Sequence, residues 1–121
     1  MEINSGWNLS DIPEENKYGN CFVVAFEEVV NNPGMGYTLV HGIVTGQGAI
    51  QGLQYCHAWV EKDGKVIDKT LSAPMQVFPL EFYYAIGNIT KVKKYNYKQT
   101  LENACKFETY GPWDPMFEDF P

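Results

Sequence analysis

The first long apolar segment of the chain covers residues 21–30, and its apolar residues lie on nearly all sides of a helix. Such a pattern is typical of a buried helix. Asn20 is a favourable N-cap, and residues 31–34, which include Pro33 and Gly34, are typical of a helix end. A strand is the competing interpretation, because the segment is rich in β-branched residues. Its length, cap and stop signal favour the helix.

The segments that follow carry strand patterns. Residues 37–45 are rich in β-branched side chains and predict the first strand. Residues 78–89 are strongly aromatic and are compatible with a strand or with a short helix that begins at Pro79, and we expect a strand over residues 84–89. Residues 92–97 predict another strand.

The last periodic segment, residues 97–107, predicts a short amphipathic helix. Its core-facing positions are expected to be Leu101, Ala104 and Cys105. Residues 110–113 (Tyr-Gly-Pro-Trp) are expected to end the fold, with Trp113 as a packing anchor or as part of a cleft rim. Residues 114–121 are expected to be an acidic tail, and the polar residues 1–19 an N-terminal surface segment.

Residues 55–68 are predicted to form a β-hairpin that carries an imidazole and a carboxylate on one face. Asp63-Gly64 favours a two-residue type I′ turn, so the strand pairing follows from counting outward. Trp59 then faces Asp68, and His57 lies diagonally across from Asp68 on the same face. We therefore expect Asp68 to hold His57, with Trp59 packed beside the imidazole.

These elements predict an α+β fold of one domain over residues 1–121, with an antiparallel sheet packed on the helix that starts near Cys21. The glycine-rich residues 46–52 are expected to form a loop at the mouth of a cleft. A phosphate-binding loop is disfavoured there, because no Lys follows and no helix is indicated.

The charge of the chain argues against a nucleic-acid-binding surface. The net charge is −6, from 9 basic and 15 acidic residues, and the sequence contains no Arg. Affinity for nucleic acid comes largely from clustered Lys and Arg. One small basic cluster, formed by Lys91, Lys93, Lys94 and Lys98, is more typical of a solvated strand edge.

Compartment and partners are predicted from what the sequence lacks. It has neither a signal-peptide pattern nor an apolar run of membrane-spanning length. We therefore expect no membrane partner. The three cysteines have no CxxC spacing, so we expect them to be free thiols in a protein of the cytoplasm. No cofactor is indicated, and no pattern predicts an oligomeric state.

Three residues are candidates for a nucleophilic active site. Cys21 is expected in the first turn of a helix, where unpaired N–H groups and the helix dipole favour a thiolate. An imidazole held by a carboxylate, as expected for His57 and Asp68, is the activating half of a nucleophilic site. Taken singly, the thiol is more often a buried core residue, the imidazole more often a hydrogen-bonded structural histidine, and the carboxylate more often a turn-flanking or salt-bridged one.

His41 competes with His57 as the base. It has no well-placed carboxylate nearby in the sequence, and the following Gly42 suggests close packing, so we interpret it as structural or as a cleft wall. A zinc site is the other alternative. It would use Cys21, His41, His57 and Asp68, but none of these pairs has the short ligand spacing typical of such sites, so no metal is predicted. Cys56 and Cys105 are expected in the core.

The order Cys, His, Asp and several short segments resemble a group of small phage and bacterial proteins related to the papain-like and transglutaminase-like cysteine hydrolases. The segments are residues 19–25, 39–42, 57–61, 66–68 and 110–113. The resemblance covers most of residues 19–113, and its most specific part is His-Ala-Trp followed by a turn and Asp.

The resemblance implies a covalent mechanism in which Cys21 is the nucleophile, His57 the general base and acid, and Asp68 its orienter. Such enzymes commonly place a Gln or similar oxyanion donor upstream of the Cys, and this chain departs from that pattern. The oxyanion candidates are Asn16, Tyr18, Asn20 and the backbone N–H of Cys21.

Two functions are therefore expected from different classes. The first is a thiol hydrolase or acyltransferase that acts on an amide, peptide or isopeptide bond of a protein or peptide substrate. The second is a catalytically silent phage or bacterial protein that uses the cleft or its acidic surface to bind a host protein.

Overall fold

The structure, a computed structural model, describes residues 20–46, 52–72 and 74–120, and over these ranges the fold is α+β. Its α-helices are α1 (Cys21–Val30), α2 (Leu80–Ile86) and α3 (Tyr97–Phe107). Its strands are β1 (Thr38–Thr45), β2 (Gln54–Lys62), β3 (Lys65–Ile67), β4 (Val77–Pro79) and β5 (Thr90–Tyr95). The five strands form one antiparallel sheet in the order β4-β3-β2-β1-β5. The predictions for residues 1–19 and for most of the 46–52 loop lie outside the described residues.

The helix predicted over residues 21–30 is confirmed as α1, so length and stop signals outweighed β-branched content. Asn20 is its N-cap residue, although within the described residues its side chain makes no capping hydrogen bond to the helix. None of the helices in the described ranges is long and apolar enough to cross a membrane.

The predicted hairpin register is confirmed for residues 60–67, whereas β3 ends at Ile67 and the predicted pairing of Trp59 with Asp68 lies beyond the ladder. Lys62 pairs with Lys65, and Val60 pairs with Ile67. Asp63 and Gly64 have φ values of 51° and 76°, as a type I′ turn requires. The turn therefore fixes which residues of β2 share a face with Asp68.

The sheet separates two layers, which we call the α1 face and the α2 face. On the α1 face, Ala25, Phe26 and Val29 of the helix pack against sheet residues Leu39, Ala58 and Val60. On the α2 face, the buried residues Val40, Val44, Trp59 and Val66 pack against Leu80, Tyr83 and Tyr84. Successive residues of β2 alternate between the two layers.

The strand expected over residues 84–89 is wrong, because the helix α2 runs to Ile86 and the next strand begins only at Thr90. Leu80, Tyr83 and Tyr84 have the i, i+3, i+4 spacing of one helix side, and all three pack on the sheet. The aromatic residues therefore serve a helix that covers the sheet rather than a further strand. Residues 92–97 were correctly predicted as a strand, which is β5 with bounds two residues earlier.

Two predictions for the C-terminal region also need correction. Cys105 is exposed, whereas α3 buries Thr100 and Ala104, which lie four residues apart on one side of the helix. The fold does not end at Trp113, since Phe117 lies in a 3₁₀ turn and is buried against Ile43 and Cys56. Trp113 is buried as the predicted anchor, and Cys56 is in the core as expected.

Candidate active site

His57 and Asp68 are joined as the hairpin register predicts. His57 lies on β2 and Asp68 follows the last residue of β3. The Nε2 atom of His57 is 2.9 Å from Oδ2 of Asp68. A carboxylate at this distance fixes the orientation of the imidazole and stabilises its protonated form.

The carboxylate of Asp68 is fully hydrogen-bonded and only 2% exposed. Its Oδ1 accepts from the N–H and the hydroxyl of Thr70, at 3.1 and 2.5 Å. Its Oδ2 accepts from the hydroxyl of Tyr83 at 2.6 Å, in addition to His57. Burial by itself raises the pKa of Asp68, but the hydrogen bonds and the charge of His57 outweigh it and lower the pKa below its usual value.

Cys21 is the first residue of α1, and its thiol interacts with His57. Burial lowers the pKa of His57, but hydrogen bonds to Asp68 and to Cys21 outweigh this effect and raise the pKa above its usual value. Because Asp68 occupies Nε2, the ring nitrogen left for the thiol is Nδ1. The imidazole of His57 is thus influenced by the thiol of Cys21 as well as by the carboxylate of Asp68.

The thiol and the imidazole reach this contact from opposite faces of the sheet. Cys21 belongs to the core cluster of the α1 face, whereas His57 shares the α2 face with Trp59. β3 pairs with β2 only at residues 60–62, so it does not cover the edge of β2 beside His57. The two side chains can therefore meet at the sheet edge.

Aromatic rings hold the imidazole on two sides. Trp59 stacks on His57 with ring centroids 6.0 Å apart at 29°, as predicted. Tyr55 meets His57 edge-on, with ring centroids 6.1 Å apart. Gly42, which pairs with His57, makes room for Trp59, because a Cβ there would lie 2.7 Å from the indole ring.

Glu61 anchors the far side of Trp59. Its carboxylate accepts from the indole N–H at 3.0 Å and from the hydroxyl of Tyr84, and it lies 2.9 Å from the ammonium of Lys94. Sequence reasoning missed this role. The signal was present, since residues 57, 59 and 61 alternate onto one face of a strand.

A cleft of about 550 Å³ lies on the α2 face beside His57 and Asp68. The other described residues that line it are Val44, Thr45, Tyr55, Thr70, Leu71, Tyr83, Ile86, Gly87 and Ile89. Cys21 is 6% exposed and is not among the described lining residues. The cleft therefore approaches the site from the side of the imidazole.

The candidate cleft residues His41 and Trp59 do not line this cleft. Trp59 lies behind His57 and is buried. His41 is on the α1 face, where its ring contacts Phe22, Tyr95, Trp113 and Phe117. Within the described residues neither of its ring nitrogens has a hydrogen-bond partner, and burial lowers its pKa to about 3. Of the two interpretations offered for His41, the structural one holds.

The oxyanion candidates Asn16 and Tyr18 lie outside the described residues. Asn20 directly precedes Cys21, and the N–H of Cys21 lies in the first turn of α1. Tyr55 is a further candidate that the sequence did not indicate. Burial raises the pKa of its hydroxyl, and Cys21 and Asp68 add to this effect, so the hydroxyl stays protonated and able to donate a hydrogen bond.

No group of three or more His, Cys, Asp or Glu side chains within the described ranges is arranged to hold a metal ion. The comparisons give no relative from which to transfer a function: no family model, no curated protein and no solved structure matches the chain. The case for a function therefore rests on the geometry of the site.

Proposed function

We propose that the chain is a thiol hydrolase or acyltransferase with a papain-like or transglutaminase-like site, acting on an amide, peptide or isopeptide bond. The observation that carries this proposal is the 2.9 Å contact between His57 and the buried, fully hydrogen-bonded Asp68, with Cys21 near enough to raise the pKa of the same imidazole. The raised pKa of the His57 imidazole and the place of Cys21 at the first residue of α1 support this proposal.

In the proposed reaction the thiolate of Cys21 attacks the carbonyl carbon and forms a tetrahedral oxyanion. The C–N bond then breaks as the imidazolium of His57 gives its proton to the leaving nitrogen, which departs as an amine. A thioester on Cys21 remains. Water or a second amine attacks it while His57 takes a proton, and the thiolate is expelled again. Asp68 stays ionised throughout and holds the imidazole in place.

Alkylation with iodoacetamide tests the first requirement of this proposal. Cys105 is an exposed thiol on α3 and Cys56 a buried one on β2, so the protein contains its own controls. We expect Cys21 to be alkylated faster than both at neutral pH, because the thiolate is the reactive form. We also expect His57→Ala to slow labelling at Cys21 alone. Slow labelling of Cys21 that His57→Ala leaves unchanged would contradict the proposal.

The second candidate is a binding protein in which the cleft has no chemistry. The burial of Cys21 and its absence from the described lining of the cleft favour this candidate. If this candidate is correct, the Cys21→Ala variant should capture a host protein as well as the unaltered protein does, because the thiol takes no part in binding. An acyl-enzyme thioester on Cys21, detected by mass spectrometry after treatment with an activated ester, would exclude it.

A further inference from the structure

We propose that the cleft beside His57 binds the amine half of the substrate, and that it selects a bulky, uncharged apolar side chain on that half. This inference rests on the proposed function, because it assigns the leaving group of that reaction.

The position of the cleft indicates which half of the substrate it holds. In amide cleavage the carbonyl carbon bonds to the thiol, whereas the nitrogen receives its proton from the imidazole. His57 and Asp68 line the cleft, and Cys21 is not among its described lining residues. Cys21 instead belongs to the cluster on the opposite face of the sheet. The nitrogen half of the substrate is therefore the half that extends into the cleft.

The described lining offers no unpaired charge to a substrate. Its apolar side chains are Val44, Leu71, Ile86 and Ile89. Asp68 is its one carboxylate, and all its acceptor positions are filled by His57, Thr70 and Tyr83. A charged side chain placed here would lose its hydration without gaining an ion-pair partner, which is unfavourable. An apolar side chain would gain from burial against the four aliphatic residues.

The size and the rim of the cleft also suit a bulky apolar side chain. A volume of about 550 Å³ accommodates a residue-sized group. Ile86 lies at the rim with 53% of its surface exposed, and Phe82, four residues earlier on α2, is equally exposed. The apolar surface thus continues outward from the cleft along one side of the helix.

Aminolysis of an acyl-enzyme measures the preference directly. Treatment with p-nitrophenyl acetate forms an acetyl thioester on Cys21, and the leaving p-nitrophenol takes the proton of His57. An added amine then attacks the thioester carbonyl and gives a proton to His57, the C–S bond breaks, and the thiolate of Cys21 and the N-acetyl product are released. The added amine occupies the leaving-amine site, because forward and reverse steps share one tetrahedral intermediate. The probes are L-phenylalaninamide and L-leucinamide against L-lysinamide and L-isoglutamine, quantified as N-acetyl products by mass spectrometry.

We expect the two apolar amides to capture the acetyl group about tenfold more efficiently than the charged ones, the scale on which hydrophobic pockets discriminate. Ile86→Lys places a cation at the rim and should reduce capture by L-phenylalaninamide while raising capture by L-isoglutamine. The helix end tolerates this charge, because cations are favourable near a helix C-terminus. Phe107→Lys is the matched control, since Phe107 is 44% exposed at the end of α3, outside the described cleft lining.

Equal capture of all four amines, or equal effects of the two lysine variants, would overturn the assignment. Absence of the thioester would instead overturn the proposed function. In that case the cleft is judged by titrating Cys21→Ala with L-phenylalaninamide and L-lysinamide while following the NMR signals of His57. Saturable shifts with L-phenylalaninamide alone would retain the apolar binding site without its catalytic role, and no shifts would remove the site as well.

Discussion

At the scale of single residues, the central feature of the site is the carboxylate of Asp68, which accepts hydrogen bonds from several side chains. The contact between His57 and Asp68 was predictable, because it lies within a hairpin whose turn sets the register. The contact from Tyr83 was not, since it comes from α2, whose place is set by packing across the sheet rather than by local sequence. Thr70 lies two residues after Asp68 and was predictable only as a local turn contact.

Tyr55 is expected to contribute to the rate of acyl transfer without affecting the thiol. Its ring borders both the cleft and His57, and its hydroxyl stays protonated. If that hydroxyl donates to the developing oxyanion, Tyr55→Phe should lower the acylation rate with an amide or ester about 10²-fold. The rate of alkylation at Cys21 should stay within about twofold, because alkylation forms no oxyanion.

The two rates separate Tyr55 from a purely structural residue. A structural role would change alkylation, acylation and thermal stability together. Equal losses in both rates would assign Tyr55 to the positioning of His57, and no loss in either would leave the oxyanion to Asn20 and the backbone N–H of Cys21.

At the scale of elements, signals that act within a few residues were predictive and those that depend on packing were not. The Asp63-Gly64 turn and the α1 stop signals are local, and both predictions hold. Residues 80–86 carry aromatic side chains that suit a strand or a helix. Their contact with Trp59 and Val66 decides for the helix, and that contact depends on sheet residues distant in the chain.

The hairpin turn should be sensitive to backbone conformation alone. Gly64 has a φ of 76°, and a Cβ placed there would meet nothing within 4 Å. We expect Gly64→Val to reduce the free energy of unfolding by about 1–2 kcal/mol, the cost of the left-handed conformation for a residue with a Cβ. Gly64→Asn should cost clearly less, because Asn tolerates that conformation.

Urea denaturation of the three proteins measures this difference. Both variants add a side chain into open space, so equal destabilisation by Val and Asn would show that the turn conformation is not the cause. The iodoacetamide rate at Cys21 provides a second readout. A fall in that rate in proportion to the lost stability would show that the turn also maintains the contact between His57 and Asp68.

At the scale of the whole molecule, the sheet separates two histidines with opposite environments. His41 lies on the α1 face among aromatic rings, and burial lowers its pKa to about 3. His57 lies on the α2 face, where Asp68 and Cys21 raise its pKa. The sequence distinguished them only in part, because the carboxylate near His57 is local whereas the rings around His41 come from several distant segments.

The combined contribution of the two histidines to stability should therefore pass through a maximum near the ordinary histidine pKa of about 6.5. Below that pH the unfolded chain takes up a proton at His41 that the folded protein does not bind, so stability falls as pH drops from 6.5 toward 3. Above it, the unfolded chain releases the proton of His57 while the folded protein retains it, so the stability from His57 is lost as pH rises toward its raised folded pKa.

The loss of stability below pH 6.5, which we call the acid arm, has an expected size. Between pH 6.5 and 4.5, exclusion of the proton from His41 should cost about 2 kcal/mol of unfolding free energy. Urea midpoints at these two pH values test the loss, and His41→Phe, which keeps an aromatic ring in the cluster, should reduce it. If that variant fails to fold, the NMR titration of His41 in the unaltered protein decides. A ring that titrates near pH 6.5 would show that the α1 face admits the charge, and the acid arm would then need another source.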